Sequence, residues 1–311
     1  MRTDQHIQHP TVSIVLINKN HGHFLKATVD SYINQAFKNL QIICIDGMST
    51  DNSLDILAKY EKIITISKPD RSGSEGLVRG IRQVSGKYFM IATSNDVLAD
   101  PDFINSSVAI MEDDQSISCV FGKVLAMSKD GVIGEEVHPY ISGYFGNHVV
   151  NFKQWLLRNE SFHECAVVFR TSVVLECLPN LETFADSIEA INEDLTFRLR
   201  FEFFRKGYKA LFINLAGIAV RDHPDRGSLN NNEHFRRHIA VYLDQIGSFR
   251  SDFLKSRAYN FVTPDGKQIT RLSFIDVYYC IIFLYFLKVK RRLGFVKRGL
   301  KKRLSGGDER I

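Results

Sequence analysis

The stretch Tyr88-Phe-Met-Ile-Ala-Thr-Ser-Asn-Asp96 decides the fold of this 311-residue chain. Apolar side chains run from Tyr88 to Ala92, and small polar residues and one acid follow. This order is typical of a buried strand that ends at a ligand site. In open α/β sheets, ligands bind outside the carboxyl ends of the strands. We therefore expect Asp96 to form the floor of such a site.

Strand and helix patterns alternate in the segments that precede this stretch. Three short apolar runs have the length of buried parallel strands: residues 12–17, 41–45 and 63–66. Segments with helical spacing or helix-start residues lie between and after them: residues 23–36, 49–58 and 77–84. Such alternation forms βαβ units and a parallel sheet. The sequence therefore predicts an α/β fold, a mostly parallel sheet flanked by helices.

The second half of the chain gives mixed signals. Apolar runs predict strands at four places: residues 118–127, 166–169, 211–213 and 218–220. Residues 193–206 are predicted to be a helix because Leu195, Leu199 and Phe203 recur four apart. Residues 131–151 contain several glycines and predict an irregular loop.

Composition limits the class of protein. The chain is 44% hydrophobic and 24% charged, which is ordinary for a core-forming protein. Its five cysteines lie mostly in apolar strings without metal-ligand spacing, which indicates buried, reduced thiols, a reducing compartment and no zinc site. Residues 1–10 are polar, so we interpret them as a tail, neither signal peptide nor anchor.

Positive charge is concentrated at the C-terminus. Residues 288–303 contain nine Lys or Arg and no acid, so the net charge of +5 leaves 5 − 9 = −4 for the remainder. The preceding apolar segment, residues 274–287, is shorter than the roughly 20 residues of a spanning helix. Apolar residues among the basic ones lie on one helical face: Val289, Leu293, Val296 and Leu300. Residues 272–311 therefore predict a helix at an anionic membrane surface, although a core or dimer helix at 274–287 is the alternative.

Several short motifs, taken in order, give the chain a family resemblance. They are Val12-Ser-Ile-Val-Leu-Ile-Asn-Lys-Asn20, Asp30-Ser-Tyr-Ile-Asn-Gln35, Ile45-Asp-Gly-Met-Ser-Thr-Asp-Asn-Ser53, Ser85-Gly-Lys-Tyr88, Ser94-Asn-Asp96, Asn192-Glu-Asp194 and Arg221-Asp-His223. Their order and spacing resemble glycosyltransferase family 2, the bacterial group with a GT-A fold that builds surface polysaccharides. The resemblance implies a Rossmann-like GT-A domain over residues 11–225. A lid loop and helical connector would follow at 226–271, and then a C-terminal helical extension.

The resemblance also implies an activity. The chain would move a sugar from a nucleotide donor of the UDP type to a glycan or lipid-linked acceptor, with inversion at the anomeric carbon. Such a protein would work at the inner face of the cytoplasmic membrane, held there by residues 272–311. Nucleic acid is not an expected partner, because no nucleic-acid fold is recognisable and the remainder of the chain is acidic.

Metal and nucleotide ligands follow from the same resemblance. Asp96 and His223 would hold Mn²⁺ or Mg²⁺, a hard cation that neutralises the diphosphate. The nucleotide would contact five residues: Asn20, Asp46, Asp70, Arg71 and Asn95. Asp46 would accept a bond from a uracil-type base and Arg71 would pair with phosphate. Plainer alternatives are a cap or turn role for Asp96 and a turn role for Asp46. Asp70 and Arg71 could form a solvated loop pair, and His223 could make a structural hydrogen bond.

Asp194 is the candidate general base, supported by its neighbour Glu193. Both begin a predicted helix, whose positive end favours an ionised carboxylate. Acids at this position also serve simply as helix caps, which is the alternative. His163 would lie on the acceptor side.

Two departures from the family pattern support other functions. The metal motif contains Asn95 where the family usually has an acid, and Leu77-Val-Arg-Gly80 replaces an Arg-Asn pair. A weakly active or inactive homologue, acting as a binding partner in a polysaccharide assembly complex, is therefore the first alternative. A nucleotidyltransferase is the second, although Asn18–Gly22 is a poor triphosphate loop.

Overall fold

The computed structural model describes residues 12–136, 147–152, 154–155, 160–181 and 194–223, with short pieces at 247–248, 261–262 and 268–269. The strands are β1 (Val12–Asn18), β2 (Leu40–Asp46), β3 (Ile63–Ser67), β4 (Tyr88–Thr93), β5 (Val97–Leu98), β6 (Cys119–Met127), β7 (Ile133–Glu136), β8 (His148–Val150), β9 (Val167–Arg170), β10 (Ala210–Arg221), β11 (Phe261–Val262) and β12 (Gln268–Ile269). The α-helices are α1 (Gly22–Ile33), α2 (Ser53–Leu57), α3 (Gly73–Ile81), α4 (Phe103–Asp113), α5 (Thr171–Cys177) and α6 (Leu195–Arg205).

Ten strands form one mixed sheet within the described residues. Its main path is β3-β2-β1-β4-β9-β6-β10-β5, with β7 beside β6 and β8 beside β10. The first four strands of this path pair in parallel, as the βαβ pattern predicts. Strand β9 then joins β4 to β6 by antiparallel ladders, while β6 and β10 are parallel. The carboxyl ends of β1, β2, β3 and β4 therefore share one edge.

Helices cover both faces of the sheet. Side chains of β1 alternate between the two cores, Val15 in one and Ile14 and Leu16 in the other. The core beside Val15 is completed by α3, α5 and α6, and the opposite core by α1, α2 and α4. Burial on both faces explains why these strands are continuous apolar runs.

Most predicted strands are confirmed, and the differences have local causes. Helix α3 begins at Gly73 rather than Leu77, because the Ser72 hydroxyl accepts a bond from the Glu75 amide and caps the helix inside the predicted loop. Residues 211–213 and 218–220 belong to one strand, β10, whose register shifts around Ala216. Helices α4 and α5 were not predicted.

The predicted loop at 131–151 is partly wrong, since it contains β7 and β8. Most of the predicted lid and connector at 226–271 lies outside the described residues, which include there the antiparallel pair β11–β12. The predicted extension at 272–311 lies outside them entirely. Within the part of the chain that the structure describes, no helix has the length and apolarity needed to cross a membrane.

Candidate active site

Asp46 joins the carboxyl ends of three strands. It is fully buried at the end of β2. Asn18 Nδ2 and the Ser49 hydroxyl donate to Oδ1 at 2.8 and 2.5 Å, and the Ser49 amide and Ser67 hydroxyl donate to Oδ2 at 3.0 and 2.7 Å. Burial raises the pKa of this carboxyl, but the hydrogen bonds outweigh it and lower the pKa below 3.8. In this arrangement a nucleobase could bond to Asp46 only if one of these donors moved.

Hydrogen bonds connect the loop after β1 to the loop after β2. Asn20 has a left-handed backbone with φ of 56°. Its side-chain oxygen accepts from the Thr50 amide at 2.8 Å, and its own amide donates to the Ser49 hydroxyl at 2.8 Å. Asp51 accepts from the Gly22 amide at 2.8 Å, at the start of α1. The predicted nucleotide ligand Asn20 is thus held rigidly at the sheet edge.

The loop after β4 carries Asn95 and Asp96. Asp96 is 5% exposed; the Thr93 hydroxyl donates to its Oδ2 at 2.7 Å and the Arg221 amide to its Oδ1 at 2.9 Å. Asn95 Nδ2 lies 3.0 Å from His223 Nε2. Asn95 thus contacts His223 and Asp96 contacts Arg221, so the segments after β4 and β10 that carry the two predicted metal ligands adjoin each other.

His21 belongs to this cluster and was not among the predicted site residues. Its Nδ1 is 2.9 Å from the Ser94 hydroxyl, and its ring lies edge-on to His223 with centroids 5.6 Å apart. The Phe24 ring lies 5.0 Å from the His223 ring. The one sequence signal was position: His21 ends the polar turn after β1, on the same edge as Asp96.

Asp70 and Arg71 separate in the structure. The Asp70 side chain is 7% exposed, and its Oδ1 forms an ion pair with Lys19 Nζ at 3.4 Å. Its carboxylate lies so close to Gly47 that a β-carbon there would be 2.8 Å from both oxygens. Arg71 instead bonds to Glu75 at 3.0 Å and is half exposed. Asp70 therefore lies beside the end of β2, whereas Arg71 bonds along the start of α3.

Asp194 caps helix α6. Its Oδ1 accepts from the Thr196 amide at 2.9 Å and the Thr196 hydroxyl at 2.6 Å. The next amide, Leu195, donates to the Ser74 hydroxyl at 3.1 Å, which places the starts of α3 and α6 side by side. Among the described residues, none donates to Asp194 Oδ2. Asp194 Oδ1 thus has the capping role, and Oδ2 is left available to accept a proton. Its predicted neighbour in catalysis, Glu193, lies outside the described residues.

The thiol of Cys165 lies within electrostatic range of both Asp194 and Asp96. The pKa of this buried thiol is raised well above its ordinary value, first by burial and then by the charges of Glu164, Asp96 and Asp194. The charges of Asp96 and Asp194 therefore both act on this one buried sulfur atom. His163 lies two residues away, where its Nδ1 accepts from the Cys165 amide at 3.3 Å.

The predicted metal ligands offer a hard cation only a few oxygen atoms. No group of three His, Cys, Asp or Glu that could hold a metal occurs among the described residues. Each Asp96 oxygen accepts one bond and keeps a second lone pair, and Asn95 Oδ1 accepts none from described residues. These oxygens fit Mg²⁺ or Mn²⁺ only when a diphosphate and water complete the shell. His223 Nε2 is already engaged by Asn95, so ligation of a metal through Nε2 would require that contact to break.

The fold and the acids at its carboxyl edge define an α/β protein of the GT-A class. The sequence model of glycosyl transferase family 2 matches residues 13–173, just over half of the 311-residue chain. The chain belongs to glycosyl transferase family 2.

Three known proteins illustrate the similarity. Poly(ribitol-phosphate) β-glucosyltransferase from Bacillus spizizenii is 35% identical over 95 residues, which are 28% of this chain and 15% of that protein. The crystal structure of S. aureus TarS 1–349 with UDP gives a TM-score of 0.53 at 15% identity, over 75% of this chain and 65% of that one. The mannosyltransferase PcManGT from Pyrobaculum calidifontis, solved with GDP-Man and Mn²⁺, gives 0.50 at 15% identity, over 76% and 65%. The chain therefore spans less than two thirds of each of these proteins.

Proposed function

We propose that this protein transfers a sugar from a nucleotide donor, preferentially a UDP-sugar, to a hydroxyl of a growing surface glycan or lipid-linked acceptor. One observation carries the proposal: Asn95, Asp96 and His223 meet at the sheet edge where Asp46 joins β1, β2 and β3. Open α/β sheets bind ligands at this edge. The UDP in the TarS structure and the GDP-Man in PcManGT support the donor class.

The chain's own residues divide the work. Asp96 and Asn95 would hold a divalent cation through their side-chain oxygens, and the bound cation would offset charge on the leaving diphosphate. Asp194 Oδ2 takes the acceptor proton while Oδ1 stays bonded to Thr196. That proton transfer lets the acceptor oxygen attack the anomeric carbon from the face opposite the diphosphate. A single displacement of this kind inverts the anomeric carbon.

The test is a screen of nucleotide sugars for transfer or hydrolysis, with UDP titrations by calorimetry in the presence and absence of Mn²⁺. We expect Mn²⁺-dependent UDP binding and turnover by the wild type, and unchanged UDP binding without turnover by Asp194→Asn. An absence of Mn²⁺-dependent binding and of turnover would contradict the enzyme proposal.

One observation favours the alternative of an inactive assembly partner. Asn95 supplies an amide where the family usually has an acid, and that amide is held by His223. An inactive partner would bind UDP without a metal effect, or not at all, and show no turnover with any donor. The same titrations therefore separate the two functions.

We also propose that the protein works at the inner face of the cytoplasmic membrane. The basic run 288–303 with its apolar stripe supports this placement, because such helices bind anionic lipid. A lipid-linked acceptor would then be within reach of the site.

A further inference from the structure

Arg221 is a buried cation beside the loop that carries Asn95 and Asp96. It is the last residue of β10 and is 4% exposed. Its backbone amide donates to Asp96 Oδ1 at 2.9 Å, and its Nε donates to the Asn95 carbonyl at 3.0 Å. The same residue thus holds both members of the loop, one through its main chain and the other through its side chain.

The rest of the guanidinium is held from outside the loop. Nη1 donates to the Lys129 carbonyl at 2.7 Å, in the turn between β6 and β7. The guanidinium carbon lies 4.6 Å from the centroid of the Phe24 ring, and that ring in turn lies 5.0 Å from the ring of His223. The side chain therefore ties Asn95 to the hairpin turn on one side and to α1 on the other.

Stability alone is a poor explanation for this arrangement. A buried charge is costly unless a counter-charge pairs with it. Arg221 forms no ion pair with a described residue, and the hydrogen-bond partners of its side chain are carbonyls. Burial lowers the pKa of its guanidinium, and the charges of Asp96 and Asp130 offset only part of that effect. An apolar side chain of similar length would fill the space without that desolvation cost, but it could not hold the Asn95 carbonyl.

We propose that Arg221 is a positioning residue of the active site, which fixes the Asn95–Asp96 loop so that its side-chain oxygens face the cation and diphosphate. The inference rests on the proposed function for its ligand, but the positioning itself does not depend on it. Because Asp96 is the one carboxylate of this loop, no second acid could hold the cation if Asp96 were misplaced. Loss of the guanidinium would therefore weaken metal-dependent binding before it weakens nucleotide binding.

Arg170 offers a matched control at the opposite edge of the sheet. It pairs with Tyr88 at the start of β4 and lies over that ring at 5.7 Å. Its Nε donates to the Ile117 carbonyl at 2.9 Å and its Nη2 to the Asp114 carbonyl at 3.3 Å. The two arginines thus make the same kinds of contact, and only one of them touches the site.

The experiment compares Arg221→Lys with Arg170→Lys in the full chain. UDP is titrated with and without Mn²⁺, and amide hydrogen exchange is followed in residues 93–98. We expect Arg221→Lys to bind UDP alone within about twofold of wild type. The Mn²⁺-dependent gain in its UDP affinity falls roughly tenfold, and exchange in 93–98 accelerates by a similar factor, as loss of a charged hydrogen bond implies. Arg170→Lys changes neither measurement.

Two outcomes would overturn the inference. In the first, Arg221→Lys keeps the wild-type Mn²⁺-dependent gain in UDP affinity and the wild-type amide exchange in residues 93–98. In the second, Arg170→Lys changes both measurements as much as Arg221→Lys does. If Arg221→Lys fails to fold, Phe24→Leu removes the ring under the guanidinium and should shift both measurements in the same direction. If wild type shows no Mn²⁺-dependent gain, the proposed function fails. The exchange in 93–98 then decides the positioning role on its own.

Discussion

At the scale of single residues, the site is defined by how few charges it contains. Asp96 is the one carboxylate of its loop, and its neighbour Asn95 is neutral. The Arg221 guanidinium is near enough to Asp96 for the two charges to affect each other. A cation placed here is therefore held by one carboxylate that is partly offset by a buried guanidinium, which predicts weak metal binding without nucleotide.

The substitution Asn95→Asp tests whether the single carboxylate limits metal binding. It adds a carboxylate next to Asp96 and replaces the amide that lies 3.0 Å from His223 Nε2. We expect Mn²⁺-dependent UDP affinity to rise about tenfold, which is about 1.4 kcal/mol. The attraction between unit charges about 4 Å apart at an effective dielectric near 20 is about 4 kcal/mol, and desolvation of the added carboxylate offsets most of it. Calorimetry measures it, and Asn105→Asp on the exposed surface of α4 is the charge-matched control. An unchanged or lower affinity would mean that Asn95 does not face the cation.

Asp46 makes a prediction about stability and pH. Its folded pKa lies below the ordinary 3.8, so its contribution is present above about pH 4 and is lost as the pH falls through the folded pKa. Asp46→Asn should lower the free energy of unfolding by about 2 kcal/mol at pH 7, because an amide cannot accept all the present bonds. The difference from wild type should stay constant from pH 7 to 5 and narrow below about pH 4.

Urea unfolding across that pH range measures the difference. Asp113→Asn, on the exposed end of α4, serves as the control because it removes one carboxylate that is not buried. A difference that grows as the pH falls would contradict the assignment of the charge to Asp46.

At the scale of elements, Asp194 has a helix-capping role that is independent of its chemistry. Asp194→Asn and Asp194→Ser keep an oxygen acceptor for the Thr196 amide, whereas Asp194→Ala does not. Only Asp194→Ala should lose stability, by about 1 kcal/mol. If Asp194 is the base, all three should lose transfer activity by roughly 10²- to 10⁴-fold.

Thermal unfolding and donor turnover, measured on the same three preparations, separate the roles. Turnover retained by Asp194→Asn would remove Asp194 as the base while leaving its cap intact. Turnover that follows stability across the three variants would show that the cap alone matters.

The irregularity in β10 depends on glycine. A β-carbon at Gly122 of β6 would lie 2.7 Å from the Leu215 carbonyl and 2.8 Å from the Gly217 amide, both backbone atoms. Gly122→Ala should therefore destabilise the protein by about 1–3 kcal/mol, because backbone must shift. Gly73→Ala, where a β-carbon meets nothing within 4 Å, should not destabilise it. Equal melting temperatures for the two variants would contradict this explanation of the register shift.

The elements that could be predicted are those whose pattern is set by burial on both faces. Strands β1, β2 and β4 are continuous apolar runs for that reason. Helix α4 was missed because Asn-Ser-Ser interrupts its apolar residues; buried Ser107 satisfies its hydroxyl on the Phe103 carbonyl inside the helix. Helix α5 has seven residues, too few for a period to stand out.

At the scale of the whole molecule, the positions of two acids followed from the predicted sheet, and the contacts that support them did not. Asp46 ends β2 and Asp96 lies in the loop after β4, so the parallel strands place both at the carboxyl edge. Asp194 precedes α6, and the bond from the Leu195 amide to Ser74 places it beside the start of α3. His21 and Arg221 join the site through contacts with Ser94 and Asn95, 73 and 126 residues away. Contacts between such distant residues leave no local pattern, so only the folded chain reveals them.

Positive charge is concentrated near the C-terminus, and this distribution predicts how the protein binds anionic membranes. Residues 288–303 carry nine positive charges and the rest of the chain −4, so attraction to anionic lipid should come from this segment alone. Two full-length variants separate its parts: Val289, Leu293, Val296 and Leu300 changed to Ser, or four of the Lys and Arg residues changed to Gln. Each basic residue near an anionic surface contributes about 1 kcal/mol, so the second change should weaken vesicle binding by on the order of 10²-fold or more.

Sedimentation with vesicles of anionic or neutral lipid, at low and high salt, measures both effects. The Gln variant should lose the salt-sensitive part of binding, because screening acts on the charges. The Ser variant should keep its initial salt-sensitive attraction but lose binding that persists at high salt, because that part depends on buried apolar area. Donor hydrolysis should stay at the wild-type rate in both, since the proposed catalytic residues are untouched. Binding that survives both changes would place the membrane contact elsewhere in the chain.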